Sequence, residues 1–186
     1  MKYAPNTIYH IYNQGNNKQV IFPQERNYLF FLKKVRRHLL PSVDILAYCL
    51  MPNHFHLLVY TNEKSCAEVL AKTTGERNYC QQKISKEIGC MLSGYTKAIN
   101  KQEGRTGALF RPRTKQKECF KKGFVRINEQ AKLEYALNCF HYIHQNPVAA
   151  NLVTNATDWV YSSAKDYAQM RNKTLCQQAL AKQLLF

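Results

Sequence analysis

The sequence predicts an α+β domain in which helices cover one face of an antiparallel sheet and leave the other face open. Two observations carry this reading. Short apolar stretches of two-residue period alternate along the chain with longer stretches of helical period. Their order is strand, helix, strand, strand, helix, followed by a basic arm and a further helix.

The elements follow in chain order. "TIYHIYNQG" (7–15) places Ile8, His10 and Tyr12 on one side and Tyr9 and Ile11 on the other, then meets Gly15, so it reads as a strand entering a turn. "PQERNYLFFLKKVRRHLL" (23–40) opens with Pro23, which suits a first helical turn. It carries apolar Leu29, Phe30, Leu32, Val35 and Leu39 and is followed by Pro41. Lys33, Lys34, Arg36 and Arg37 give that helix a basic outer face. "VDILAYCLM" (43–51) and "HFHLLVY" (54–60) are strands, and Pro52-Asn53 between them closes a hairpin. Residues 65–100 read as helical, with a break near "TTGERN" (73–78). "EGRTG" (103–107) is a loop. "ALFRPRTKQKECF" (108–120) is extended, basic and contains Pro112, which favours an edge strand or arm over a central strand. "EQAKLEYALNCFHYIHQN" (129–146) is a helix expected to stop at Pro147. A domain over 1–165 would leave 166–186 as a C-terminal extension.

Composition narrows the function classes. At 186 residues, with 45% hydrophobic and 12% aromatic side chains, the chain has the makings of one folded domain. Twenty-seven Lys and Arg against twelve Asp and Glu leave a net charge of +15, which points to a polyanionic partner, nucleic acid before acidic membrane. No apolar run is long enough to span a bilayer, and "MKYAPNTIYH" lacks the apolar centre of a signal peptide, so the expected location is the cytoplasm. The seven cysteines form no CxxC pair, which argues for free thiols in a reducing compartment.

One stretch raises a chemical question. In "CLMPNHFHLLVY" (49–60), His54 and His56 share one face of a strand while Phe55, Leu57 and Val59 take the other. Two imidazoles so spaced can reach one metal ion, although a hydrogen-bonded surface pair is the simpler reading of such a motif alone. A third group comes from "FHYIHQNPV" (140–148). Leu133, Ala136, Leu137, Phe140 and Ile143 form one apolar helix stripe, and Tyr142 falls about opposite to it, with Asn146 one turn further. A phenol and an amide at that spacing can enter the same small volume. Read alone, they would be a tyrosine at the core edge and a stop before proline.

Taken together, "YCLMPNHFHLLV" (48–59) and "YIHQNPV" (142–148) resemble the single-tyrosine HUH transposases, in particular the insertion-sequence-type and REP-associated tyrosine transposases. "YHIYNQGNNKQVIF" (9–22), "GALFRPRTK" (107–115) and "DWVYSS" (158–163) also look like segments of that family, so the resemblance runs over about residues 7–165. It implies a ferredoxin-like, RRM-like sheet with the two histidines on a central strand. It implies His54, His56 and Asn146 as metal ligands, Mg²⁺ or Mn²⁺ as the cofactor, and Tyr142 as the nucleophile. The implied product is a 5′-phosphotyrosine with a free 3′-OH, formed on single-stranded DNA beside a hairpin. Within the family, insertion-sequence members act as dimers and REP-associated members as monomers, so either state is expected here.

The chemistry suits these residue types. A phenol attacking phosphorus keeps the cut strand attached as an ester that a second DNA end can resolve. Two imidazoles and an amide oxygen leave a cation open positions for phosphate oxygens. Tyr95, the rival nucleophile, has Ile99 rather than an amide at i+4. His141 and His144 flank Tyr142 but point elsewhere on a helix, so both read as structural. Arg111, Arg113, Lys115 and Lys117, interleaved with Phe110 and Phe120, are the expected DNA contacts. Lys121 and Lys122 fit a solvated loop equally well. The alternative function is a catalytically silent single-stranded nucleic-acid-binding module derived from such a transposase. A zinc hydrolase would need further Asp, Glu or His ligands at fixed spacing, and the sequence offers no such cluster.

Overall fold

The computed structural model describes residues 2–72, 78–121, 129–172 and 174–186. Strand β1 spans Thr7–Gln14, β2 Val43–Met51 and β3 His54–Thr61, with helix α1, Glu25–His38, between β1 and β2. A short helix, α2 (Glu63–Cys66), precedes a two-stranded ribbon of β4 (Glu68–Lys72) and β5 (Asn78–Gln82). Helix α3 (Lys83–Gln102), strand β6 (Lys115–Lys121) and helix α4 (Glu129–Ala149) follow, and α5 (Ala164–Tyr167) and α6 (Gln178–Leu185) end the chain. The main sheet is antiparallel throughout, in the order β2-β3-β1-β6. β6 therefore forms an edge, and Pro112 lies ahead of it in the chain.

One face of the sheet packs on α1 and α3. Tyr9 and Ile11 of β1 and Phe55, Leu57 and Val59 of β3 meet Phe31 and Val35 of α1 and Met91 and Tyr95 of α3. Aromatic rings fill the gap: Phe31 lies 5.1 Å from Phe55 and 5.0 Å from Tyr95, centroid to centroid. On α1 the buried face is Asn27, Tyr28, Phe31 and Val35, and Leu29 is 57% exposed. The apolar run "YLFFL" supports several helical stripes, and the structure uses the one through Phe31.

The opposite face is not open, which corrects the expectation of helices on one face only. Ile8, Leu46, Cys49, Met51 and Leu58 point that way and would be an exposed apolar patch. Ala136, Phe140 and Ile143 of α4 and Ala181, Leu184 and Leu185 of α6 cover them. The covering segment is held by a buried carboxylate: Asp166 Oδ1 pairs with Arg171 Nε at 2.5 Å, and Asp166 Oδ2 accepts from Thr174 Oγ1.

Two local readings also change. Residues 68–72 and 78–82 were expected to fall in a helical stretch broken near 73–78 but form the β4–β5 ribbon, in which Leu70 pairs with Cys80; residues 73–77 lie outside the described residues, as does Lys122. Glu, Leu, Ala and Lys favour a helix locally, but the ribbon's end is fixed by distant bonds: the Tyr3 amide donates to Gln82 Oε1 at 2.7 Å, and Gln82 Nε2 donates back to the Tyr3 carbonyl at 2.8 Å. Helix α4 passes through Pro147 to Ala149 instead of stopping at Asn146. Proline withholds one donor, but its φ fits a helix, and the amides of Ala150 and Leu152 bond the carbonyls of Asn146 and Pro147.

The turn that introduces β3 is braced by the loop after β1. The Gly15 amide donates to the Asn53 carbonyl, and the Ile21 and Phe22 amides both donate to that of Pro52. Gly15 is required by close approach, since a Cβ there would lie 2.1 Å from the Gln19 carbonyl oxygen.

Candidate active site

β3 lies between β2 and β1, so its side chains have neighbours on both flanks. Register places Tyr12 opposite His56 and Gln14 opposite His54. Alternation turns His54 and His56 toward α4, together with His10 and Tyr12 of β1. Helix α4 passes over them with Tyr142 and Asn146 facing down.

The polar groups converge. His54 Nε2 lies 3.3 Å from Asn146 Oδ1, and Asn146 Nδ2 lies 3.4 Å from His56 Nε2. The Tyr142 ring stands edge-on to His56, with centroids 5.5 Å apart, and is 53% exposed. Strand and helix thus bring His54, His56, Asn146 and Tyr142 into one place. Tyr95 lies elsewhere: it is fully buried, and its hydroxyl donates to the Ile21 carbonyl at 2.6 Å. Burial also raises its pKa, so it is a packing residue.

Electrostatics keep both histidines neutral. Burial, reinforced by the neighbouring His10 and His54, lowers the His56 pKa to about 3. Burial lowers that of His54 as well, partly offset by its bond to Asn146. Neutral imidazoles present lone pairs, as ligands must.

A third histidine, His10, was not singled out as a site residue from the sequence. It is 6% exposed, and its Nε2 lies 2.9 Å from His56 Nδ1. With Nδ1 so engaged, His56 can turn Nε2 toward Asn146. The signal was present in the alternation, which set His10 beside Tyr12 on one side of β1. What was missing was the register, which sets His10 diagonal to His56.

His144 is buried and bonds Ser163 Oγ at 2.7 Å; the same oxygen accepts from the Tyr48 amide at 2.9 Å. Burial lowers its pKa to about 4. It fastens α4 to β2 and faces away from the Tyr142 side. His141 is exposed, stands edge-on to Phe140 and has no place in the convergent group.

The basic residues divide between two places. A cleft of about 630 Å³ opens beside the histidines and Tyr142 and takes in Arg111, Arg113 and Lys115. The segment carrying them is pinned to β1: the Arg111 amide donates to the Gln14 carbonyl, and Asn13 Nδ2 donates to the Arg111 carbonyl and to Thr114 Oγ1. Lys117 lies elsewhere, with its ammonium 4.4 Å from the Tyr135 ring centroid in a second cleft.

Among the described residues no three His, Cys, Asp or Glu side chains group as a metal site, so a cation here would need the amide as its third donor. Among the same residues no helix is long and apolar enough to cross a membrane.

No family model matches the chain, and no curated protein matches it. Its structure is similar to a solved one, that of a REP-associated tyrosine transposase bound to a REP hairpin. The TM-score is 0.56 and the identity 16%, over 93% of this chain and 86% of that one. At that identity the likeness is one of fold.

Proposed function

We propose that this chain is a metal-dependent endonuclease and strand transferase for single-stranded DNA, a transposase in which Tyr142 forms a 5′-phosphotyrosine. The observation that carries this is the convergence of two neutral imidazoles and a carboxamide, 3.3 and 3.4 Å apart, beside an exposed phenol. The sequence resemblance and the fold likeness support it. The frame is read as ferredoxin-like, from β1-α1-β2-β3-α3-β6 with the sheet order 2-3-1-6.

The donor set fits a divalent cation. Both ring nitrogens of His54 face oxygens, Asn53 Oδ1 at 2.6 Å and Asn146 Oδ1 at 3.3 Å, and a neutral imidazole can donate to only one. With Nδ1–H on Asn53, the Nε2 lone pair and Asn146 Oδ1 become two ligands, and His56 Nε2 a third. Neutral nitrogen and oxygen donors suit Mg²⁺ or Mn²⁺. Such an ion would supply positive charge to the phosphate and to the departing oxygen.

This chain's residues do the rest. Arg111, Arg113 and Lys115 hold the strand's phosphates in the adjoining cleft. Tyr142 Oη gives up its proton and bonds to phosphorus, the P–O3′ bond breaks, and the 3′ oxygen leaves with a proton as a free hydroxyl. A later 3′-OH reverses these steps and rejoins the strand. Nucleophile and ligands belong to one chain, so one copy holds a complete site. A hairpin beside the cleaved strand is the expected substrate, by analogy with the hairpin bound to the structural neighbour.

The test is a covalent-adduct assay. Labelled hairpin-bearing single strands with Mn²⁺ should give a protein–DNA band that survives denaturation. Tyr142→Phe should remove the band and leave binding intact, and Tyr95→Phe should keep it. Binding without any adduct from the wild-type chain would favour the silent binding module instead.

A further inference from the structure

Tyr142 stands between two clefts. One is the basic cleft already described. The other, of about 410 Å³, lies beside Tyr142 and takes in Lys117, Tyr135 and Asn138. Tyr12, His56 and Tyr142 border both. A strand whose reacting phosphate sits at Tyr142 therefore has space on each side of it.

The two linings differ in chemistry. The first offers cations and amides, which suit phosphate and sugar and carry no sequence information. To the shared rings of Tyr12 and Tyr142 the second adds a third tyrosine ring, that of Tyr135, with a single ammonium and an exposed carboxamide. A nucleobase presents a flat π-face with an edge of donors and acceptors. A tyrosine ring suits the face, and a carboxamide, donor and acceptor side by side, suits the edge. Position adds to the argument. Asn138, Tyr142 and Asn146 succeed one another at i, i+4 and i+8 on α4, so the amide of the second cleft lies one turn from the nucleophile along a single ridge.

We propose that the second cleft is a nucleotide subsite. One base, next to the phosphate that Tyr142 attacks, stacks on Tyr135 as the Lys117 ammonium leaves that ring for the nucleotide's phosphate, and the base meets Asn138 at its edge. The proposal rests on reading the site as a single-stranded DNA site. It divides the labour: the first cleft supplies affinity for any strand, and the second supplies preference at one position.

The test is binding without divalent metal, so that no cleavage intrudes. Fluorescein-labelled short homopolymer strands of dA, dC and dT are titrated and read by anisotropy. Wild type should rank the three. Tyr135→Ala should weaken all of them, by about 5- to 100-fold, and Tyr135→Phe, which keeps the ring, should stay within about twofold of wild type. Asn138→Ala, at an exposed position, should shrink the spread among the three strands to about twofold or less. Lys97→Ala, on the exposed side of α3, serves as the charge control. The subsite is overturned if Tyr135→Ala behaves like Lys97→Ala while strands still bind, or if Asn138→Ala preserves the ranking. If wild type binds none of the strands, the single-stranded DNA reading falls and the subsite with it, a result distinct from the first two.

Discussion

The two faces of one sheet are put to opposite uses. On the α1–α3 face, β1 and β3 contribute Tyr9, Ile11, Phe55, Leu57 and Val59 to a core of rings and methyl groups. On the α4–α6 face, the intervening residues include His10, Tyr12, His54 and His56, packed beside Ile8 and Leu58. Burying imidazoles disfavours their charged form, and burial lowers the pKa of both His54 and His56. The first face supplies the apolar burial that fixes β3, and so allows the second to hold polar groups in a fixed array. Phe55 and His56 are adjacent in sequence and face opposite sides of the sheet.

The largest expected effects set those neighbours against each other. Phe55→Ala should cost about 3–5 kcal/mol in chemical denaturation, since a buried ring leaves a cavity. His56→Ala should cost far less stability and remove Mn²⁺ binding, read by the electron paramagnetic resonance of the free ion. Equal stability losses for the two would erase the distinction between the faces.

Removing His10, whose Nε2 lies 2.9 Å from His56 Nδ1, sharpens the comparison. His10→Ala should weaken Mn²⁺ binding about 10- to 100-fold, with the fold intact by circular dichroism. Unchanged Mn²⁺ affinity would show that His56 needs no support.

The two tyrosines differ in kind. Tyr95→Phe should cost about 1 kcal/mol, the worth of its bond to the Ile21 carbonyl, and leave adduct formation unchanged. Tyr142→Phe should leave the melting temperature unchanged and remove the adduct. The smallest effect belongs to α1: Leu29→Lys, at an exposed position, should shift stability by no more than about 0.5 kcal/mol. A loss of several kcal/mol there would mean that α1 packs on a different stripe.

Much of this was legible in the chain because local pattern and tertiary demand agree. The strict alternation from Thr7 to Gln14, the Pro52-Asn53 turn and the stripe through Ala136, Phe140 and Ile143 each describe what the fold uses. For the histidine pair, Asn146 and Tyr142, the strand and helix periods allowed a shared volume, and the family resemblance singled the four out. The β4–β5 ribbon was not, because its helix-favouring residues are overruled by bonds to Tyr3, far away in the sequence. The cover on the second face was hidden for a related reason. The apolar residues that require it are scattered over three strands, and α6 answers them from the other end of the chain. Lys117 was grouped with Arg111, Arg113 and Lys115 by proximity in sequence, and the fold sends it to the other side of Tyr142.

The brace at Gly15 carries a warning for genetics. It touches no reacting group, yet it grips the carbonyls immediately before His54. A methyl group at position 15 would collide with the Gln19 carbonyl and push on that turn, misaiming the imidazole while most of the core stays in place. In a screen scored by activity alone, such a variant would be indistinguishable from a lesion in the chemistry itself.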